Sequence, residues 1–259
     1  MNKKHENYKE LILRLAKTDF KLRYHGSALG YIWAILKPLL LFLVLNFVFS
    51  SVFNFKNIGI PYYTLELLTG LLLFNFFAEG TSSGIASLLA KSQLVTKIYI
   101  PRWTIVVSST INALFVFGMN TIIMVGFFIY YGKYPSVESI LMFCFFVLLL
   151  YFLIVSISML LAPFFVRFRD IGMIWEVLIS ILMYASPIIY PITLLPVNLQ
   201  KIALLNPLAF VIHFAKQGVV SNRFTDLGHI LLMTISVALL FLLSVLIFNK
   251  SEKRVAEYI

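Results

Sequence analysis

Charged residues are scarce in this chain. Lys, Arg, Asp and Glu make up 12% of its 259 residues, whereas 61% of the residues are hydrophobic. An ordinary soluble domain has about 25% charged and about 45–50% apolar residues. A water-soluble globule of this length could not bury so much apolar surface. A soluble fold is therefore excluded, and the lipid bilayer is predicted to be the solvent.

Residue types that build metal and catalytic sites are also few. The single cysteine, Cys144, lies inside an apolar run, which excludes an intrachain disulfide and a thiolate metal cluster. The four histidines are scattered, and neither an H-E-x-x-H nor a G-x-S-x-G pattern occurs. We therefore predict no catalytic residue, no metal site and no cofactor in this chain.

The sequence lacks the G-x-x-x-x-G-K-[S/T] phosphate loop, so it is predicted not to bind ATP in that manner. Any energy input is expected from a separate partner or an ion gradient. The charged N-terminus, which extends to Arg23, is too long and too acidic for the start of a cleaved signal peptide. The first hydrophobic segment is therefore predicted to remain in the protein.

Long uncharged runs dominate the rest of the chain. A membrane-crossing helix needs roughly 20 apolar residues. We predict an all-α integral membrane protein with six transmembrane helices in a single transmembrane domain that covers residues 1–259. The predicted spans are residues 29–55, 62–90, 103–132, 138–166, 171–191 and 227–249.

Basic residues are unevenly distributed between the predicted loops. With the N-terminus inside, 16 of the 21 Lys and Arg residues fall on the cytoplasmic side and 5 on the outer side. The positive-inside rule therefore places both termini in the cytoplasm. The net charge of +10 then reflects loops that face anionic lipid rather than a nucleic-acid partner.

Two regions are neither spans nor ordinary loops. Residues 8–24 place apolar and basic side chains on opposite faces of a helix, which predicts an amphipathic helix on the cytoplasmic membrane surface. The alternative is a solvated charged arm. Residues 192–223 include a 14-residue uncharged run, too short to cross the bilayer. We predict an extracellular re-entrant pair of short helices there, around residues 194–201 and 207–217.

Polar or aromatic stripes occur on three predicted spans, and intramembrane polar residues are usually functional. Together the stripes predict helices around a wet, aromatic-lined passage, which would suit a sugar polymer. The alternative is hydrogen bonding between helices, with Phe side chains facing lipid. The predicted channel-lining residues are Phe42, Asn46, Phe49, Phe53, Glu176 and Tyr184, and the stripe on the second span is formed by Asn75, Glu79, Ser82 and Ser83.

Several short motifs, in order along the whole chain, resemble those of polysaccharide-exporting permeases. These are type-2 ATP-binding-cassette proteins that export O-antigen, capsule or teichoic acid. The motifs are Leu22-Arg23-Tyr24, Ser27-Ala28-Leu29-Gly30-Tyr31-Ile32-Trp33, Pro38-Leu39, Lys97-Ile98-Tyr99-Ile100-Pro101-Arg102, Arg167-Phe168-Arg169-Asp170, Ser186-Pro187-Ile188-Ile189-Tyr190-Pro191 and Asn206-Pro207-Leu208.

The resemblance implies a six-span protomer that forms a homodimer around a central channel in the bacterial plasma (inner) membrane. One cytoplasmic ATPase subunit, which binds the ATP, would dock beneath each protomer, and a polyprenyl-pyrophosphate-linked polysaccharide would cross through the channel. Residues 8–24 would be the interface helix, and residues 91–102 would contain the coupling segment.

The resemblance also implies residue roles. The channel-entry loop would include Arg23, Ser27, Leu29, Gly30 and Trp33. Contacts with the ATPase would involve Lys91, Lys97, Tyr99, Pro101 and Arg102. The outer gate would involve Pro187, Tyr190, Asn206 and Pro207.

Three other functions remain open at this stage. The chain could be a type-2 exporter of lipids or drugs. It could be an intramembrane enzyme acting on polyprenyl phosphate, with Glu79 or Glu176 as the base. An ion-coupled carrier would be expected to show repeat symmetry, and no internal repeat is evident in the sequence.

Overall fold

The computed structural model describes residues 8–52, 62–97 and 100–258, and these form helices and turns without a strand among them. A π-helical turn, Val48–Val52, continues α2, and a short 3₁₀ turn, Ile192–Leu194, precedes α8. The helices are α1 (Tyr8–Tyr24), α2 (Ile32–Phe47), α3 (Tyr63–Ala90), α4 (Ser92–Lys97), α5 (Arg102–Tyr130), α6 (Val137–Arg167), α7 (Asp170–Ala185), α8 (Val197–Leu205), α9 (Pro207–Ser221) and α10 (Leu227–Tyr258).

Helix α3 is the centre of the bundle. It packs against α5 and α6 along most of its length, and against α2, α7 and α9 over shorter stretches. Most of its 28 residues are buried, because apolar side chains surround the helix axis rather than forming one stripe. The outer faces of α2, α7 and α10 remain uncovered by protein, with many large apolar side chains exposed. This arrangement fits a bundle whose perimeter faces lipid or another chain.

Small residues let α3 approach its neighbours closely. A Cβ atom added to Gly80 would lie 2.8 Å from Ile154 Cγ2, and one added to Gly84 would lie 2.5 Å from Ser158 Cβ. Both contacts are with α6, and they show that the small-residue spacing in α3 serves helix packing.

Among the residues that the structure describes, four helical segments are long and apolar enough to cross a membrane, which supports the prediction of a helical multi-pass membrane protein. A fifth results if α8 and α9 are one broken span. The predicted count of six is not confirmed by this criterion. Helix α7 has only 16 residues, and α3 carries polar residues, among them Glu66 and Glu79, within its apolar sequence. The four segments are Ile32–Ser50, Arg102–Tyr130, Val137–Arg167 and Leu227–Glu252.

The predicted pair of short helices before the last span is present as α8 and α9, which are bent by 108° relative to each other. The break is at Asn206, whose side-chain oxygen accepts a hydrogen bond from the Leu208 amide at 3.0 Å and so caps α9. Pro207 occupies the first turn of α9, where its missing amide hydrogen is not needed. Helix α9 is largely buried against α6 and α3, whereas α8 has no buried residue.

The close approach at Gly84 generates a stability prediction. Gly84→Ala forces a Cβ atom into Ser158 and is expected to lower the free energy of unfolding by about 1–3 kcal/mol. Gly118→Ala on α5 is the control, because nothing lies within 4 Å of its added Cβ. Thermal melting of the purified variants in detergent measures the difference. Equal melting temperatures for the two variants would contradict the packing described here.

Candidate functional site

A polar cavity of about 650 Å³ lies between α2, α3 and α7, next to the C-terminal end of α1. Charged, amide and hydroxyl side chains line it together with the ring of Trp33. Because such groups are costly in hydrocarbon, their convergence on one cavity indicates a hydrated space. The polar lining residues are Arg23, Lys37, Asn75, Glu79, Ser82, Ser83, Glu176 and Ser180.

Two predicted stripes meet in this cavity. Asn75 and Glu79 lie one helical turn apart on α3, and Glu176 and Ser180 lie one turn apart on α7. The helical period therefore places each pair on one face, and the packing of α7 against α3 brings the two faces to the same space.

An ion pair joins the end of α1 to the middle of α3. The Arg23 guanidinium donates to a carboxylate oxygen of Glu79. The Arg23 side chain is 40% exposed and that of Glu79 is 22% exposed, so the pair sits at the mouth of the cavity. Lys37 on α2 lines the same cavity and adds a second positive charge near Glu79. Two cations and two carboxylates thus face one water-accessible volume.

The predicted channel-entry loop connects α1 to α2 beside this cavity. Gly30 has φ +49° and donates its amide to the Ser27 carbonyl at 3.1 Å, which closes a tight turn. A left-handed φ is unfavourable for most side chains with a Cβ atom, so glycine is favoured at this turn. Leu29 is exposed just before the turn, and Trp33 is exposed on α2 at the cavity wall.

The aromatic stripe predicted on the first span has a different position. Phe42 is 1% exposed and packs edge-on against Phe127 of α5, with 5.2 Å between the ring centroids. Asn46 and Phe49 are half-buried, and Phe53 lies outside the described residues. The Phe42 ring is therefore in the interior of this protomer, on the side of α2 that meets α5.

The predicted channel-lining residues on α7 lie at the surface of the helix bundle. Glu176 faces the polar cavity and an adjoining surface groove, and Tyr184 is 69% exposed along the same groove. The two helices predicted to line one passage thus place their stripes differently. The α7 stripe faces outward from the protomer, whereas the aromatic ring of Phe42 faces inward.

Two predicted outer-gate residues, Pro187 and Tyr190, lie in the loop after α7, whereas Asn206 and Pro207 lie at the bend between α8 and α9. Tyr190 donates its hydroxyl to the Tyr184 carbonyl at 3.2 Å, and Pro187 is buried. The Pro187 carbonyl accepts a hydrogen bond from the Lys216 ammonium at 2.6 Å. Lys216 is one of the five basic residues on the predicted outer side, and the sequence predicts no partner for it in this loop. The signal that could have found it is a lysine directly after a long uncharged run, where a buried cation needs a specific role.

The predicted coupling segment contains the six-residue helix α4 and is held at both ends. Lys91, before α4, donates to the Asp19 carboxylate of α1 at 2.5 Å and to the Ser109 hydroxyl of α5 at 3.2 Å. Arg102, after α4, donates its backbone amide to Glu252 of α10 at 3.1 Å, and its guanidinium donates to the Glu252 carbonyl.

The other predicted coupling residues are Pro101, Lys97 and Tyr99. Pro101 precedes the first turn of α5, and Lys97 ends α4. Tyr99 lies outside the described residues. The partners Asp19 and Glu252 were not predicted, since no sequence signal pairs residues 72 and 150 positions apart.

The chain matches a known family of membrane transport proteins over most of its length. The family described as ABC-2 type transporter matches residues 10–220, which include the polar cavity, the coupling segment and α9. The chain belongs to the ABC-2 type transporter family. The resemblance inferred from the short motifs is thereby confirmed. Family membership and the apolar helices together make this chain a multi-pass membrane protein of a transporter family.

Relatives cover almost the whole chain. An O-antigen export system permease protein RfbA of Klebsiella pneumoniae is 28% identical over 248 residues, which are 96% of this chain and 94% of that protein. A protein of the same name from Myxococcus xanthus is 28% identical over 97% of this chain and 96% of its own length. The polysialic acid transport protein KpsM of Escherichia coli is 22% identical over 80% of each chain.

The Lys91–Asp19 contact in this ABC-2 chain yields a testable prediction. Asp19→Ala leaves a half-buried ammonium without its carboxylate and is expected to cost about 1–3 kcal/mol, loosening α1 from α3 and α5. Amide hydrogen exchange along α1 should accelerate. Glu10→Ala is the matched control, because it removes an exposed ion pair with Arg14 within α1, worth about 0.3–0.5 kcal/mol. Equal exchange in both variants would show that the Lys91 contact does not hold α1.

Proposed function

We propose that this chain is the transmembrane subunit of an ATP-driven exporter that moves a polyprenyl-pyrophosphate-linked polysaccharide, of the O-antigen, capsule or teichoic-acid type, across the bacterial inner membrane. The observation that carries this proposal is the nearly full-length similarity to two permeases named for O-antigen export. A polysialic acid transport protein, also named for a polysaccharide, extends the same similarity.

The channel is proposed to form between two copies of the chain. The outward faces of α2 and α7 are exposed on either side of the polar cavity, and α7 presents Glu176, Ser180 and Tyr184 on an open groove. A second copy placed against these faces would convert the open groove into a passage with polar and aromatic walls. In this arrangement each protomer has six spans, with α3 and α7 crossing inside the dimer rather than facing lipid.

The motor is proposed to be a pair of cytoplasmic ATP-binding-cassette subunits, one beneath each protomer, which bind and hydrolyse the ATP. Helix α4 would receive their movement. The residues that flank it, Lys91 and Arg102, are bonded to α1 and α10, so a displacement of the coupling segment would be passed to helices on both sides of the bundle. Both termini of the chain would lie on this cytoplasmic side.

Chemistry within the bundle is a weaker alternative. An enzyme acting on polyprenyl phosphate would use Glu79 or Glu176 as the base. Glu79 is engaged by Arg23, whereas Glu176 faces the polar cavity. Groups of His, Cys, Asp and Glu able to hold a metal ion are absent from the described residues.

Reconstitution tests the proposed function. The chain is co-purified with a cytoplasmic ATP-binding-cassette ATPase and placed in proteoliposomes. We expect ATP hydrolysis to rise on addition of a polyprenyl-linked glycan more than on addition of phospholipid, because the cavity walls are polar and aromatic. The chain alone should hydrolyse no ATP and move no glycan. Catalysis or gradient-driven transport by the isolated chain, without a bound ATPase, would overturn the proposal.

Two variants test the predicted moving parts. Gly30→Val strains the turn at the cavity mouth, where φ is positive, and deletion of residues 91–97 removes α4. Both are expected to abolish surface polysaccharide while the protein stays inserted in the membrane. Gly118→Val, on an exposed position of α5, is the control and should export normally. Normal surface polysaccharide in both test variants would count against the assignment.

A further inference from the structure

A second polar cavity, of about 330 Å³, lies at the opposite end of α3 from the coupling segment. Tyr62 and Glu66 at the start of α3 line it, and it is roughly 40 Å along the helix axis from Lys91. Its volume is at the lower end of the roughly 300–1,000 Å³ found for small-molecule pockets. Neither the family match nor the names of the relatives assign a role to this cavity.

The most unusual lining residue is Lys216. Its side chain is 3% exposed, and its ammonium donates one hydrogen bond, to the Pro187 carbonyl. No salt bridge to it occurs within the described part of the chain, and an ammonium has three hydrogens to donate. Burying a cation without an anion in contact is costly. The ammonium therefore has unused capacity for an anionic partner in the cavity it lines.

The remaining charges of the cavity reinforce this conclusion. Lys133 and Arg223 also line it, and Glu66 is the carboxylate among the lining residues. Three cations against one carboxylate leave an excess of two positive charges. Positive charge focused in a concave, partly enclosed site attracts anions. The electrostatics thus select for negative charge rather than for neutral or cationic ligands.

The uncharged lining groups indicate what else the ligand carries. Hydroxyl and amide groups of Thr193, Gln217 and Ser221 face the same space, as does the ring of Tyr62, over which Lys133 lies at 5.0 Å. His213 adds a buried Nδ1 without a hydrogen-bond partner among the described residues. Such a lining can bind a polyhydroxylated group through hydrogen bonds and one aromatic face.

We propose that this cavity binds a small oxyanion, a carboxylate or phosphate group, carried on a sugar-sized polar ligand, with Lys216 and Arg223 as the anion contacts and Glu66 limiting the affinity. The anion could be supplied by an acidic sugar or by the headgroup of an anionic lipid. The site does not rest on the proposed export function, because its binding is a property of the isolated chain.

The test uses the full-length chain in phosphatidylcholine nanodiscs and measures binding by isothermal titration calorimetry. The probes are D-glucuronate, inorganic phosphate and, as the neutral match, D-glucose. Saturable binding of glucuronate or phosphate, with at least about tenfold preference over glucose, is expected from the charge excess. Equal binding of glucose and glucuronate, or no saturable binding of either anion, would overturn the proposal.

Removing a positive charge and removing a negative charge from the cavity should change the glucuronate affinity in opposite directions. Arg223→Gln should weaken glucuronate binding about fivefold, and Glu66→Gln should strengthen it by a similar factor. Lys201→Gln, an exposed cation on α8 outside the cavity, is the control and should change nothing. Lys216→Met would also remove the hydrogen bond to Pro187, so Arg223→Gln and Glu66→Gln decide the outcome. Unchanged affinity in both would overturn the assignment.

Nanodiscs containing phosphatidylglycerol distinguish the two sources of the anion. If a lipid headgroup fills the cavity, glucuronate binding is lost in these discs and returns when phosphatidylcholine replaces the anionic lipid. If the anion belongs to an acidic sugar, the glucuronate affinity is the same in both kinds of disc. Each result supports the site and assigns its ligand, whereas failure of the reconstituted export assay would leave both results unaffected.

Discussion

The burial of α3 is the constraint on which the rest of the structure depends. This helix carries two carboxylates, Glu66 and Glu79, through a bundle that covers most of its surface. A carboxylate in such a place needs water, a cation or both. Glu79 forms an ion pair with Arg23 at one cavity, and Glu66 faces cationic side chains at the other. Both polar cavities are thus consequences of placing a helix with acidic residues at the centre of an apolar bundle.

Much of this arrangement could be predicted from the sequence, because helical periodicity is a local property. Within the described residues, α1 covers Tyr8–Tyr24, the segment predicted to be an amphipathic helix, and the stripe through Asn75 and Glu79 shares a cavity with Glu176. The inward position of Phe42 could not be predicted. Lipid and protein interior are both apolar, so an aromatic face does not reveal which of the two it meets. Pairings such as that of Lys91 with Asp19 depend on tertiary packing and have no local signal.

The polar contacts link some parts of the chain and leave other parts less constrained. The residues that flank α4, Lys91 and Arg102, are bonded to α1 and α10, and the loop after α7 is bonded to α3 and α9. The Tyr63 hydroxyl of α3 donates to the Ile189 carbonyl of that loop at 2.6 Å. The Lys216 ammonium of α9 donates to the Pro187 carbonyl of the same loop. Helix α7 itself has few such contacts, with a Trp175–Thr81 hydrogen bond of 3.1 Å among them. The structure therefore places a helix with few polar contacts beside the polar cavity.

The length of α7 has a consequence for the proposed dimer. Sixteen residues rise about 24 Å, whereas the hydrocarbon core is about 30 Å thick. If α7 crosses inside the dimer, the buried turn that follows Ala185 must complete the crossing. A passage lined by α7 would then have walls shorter than the membrane is thick, which reduces the distance over which a hydrophilic polymer leaves water. The geometry of one short helix would thus lower the dehydration cost of passage without adding a contact to the polymer.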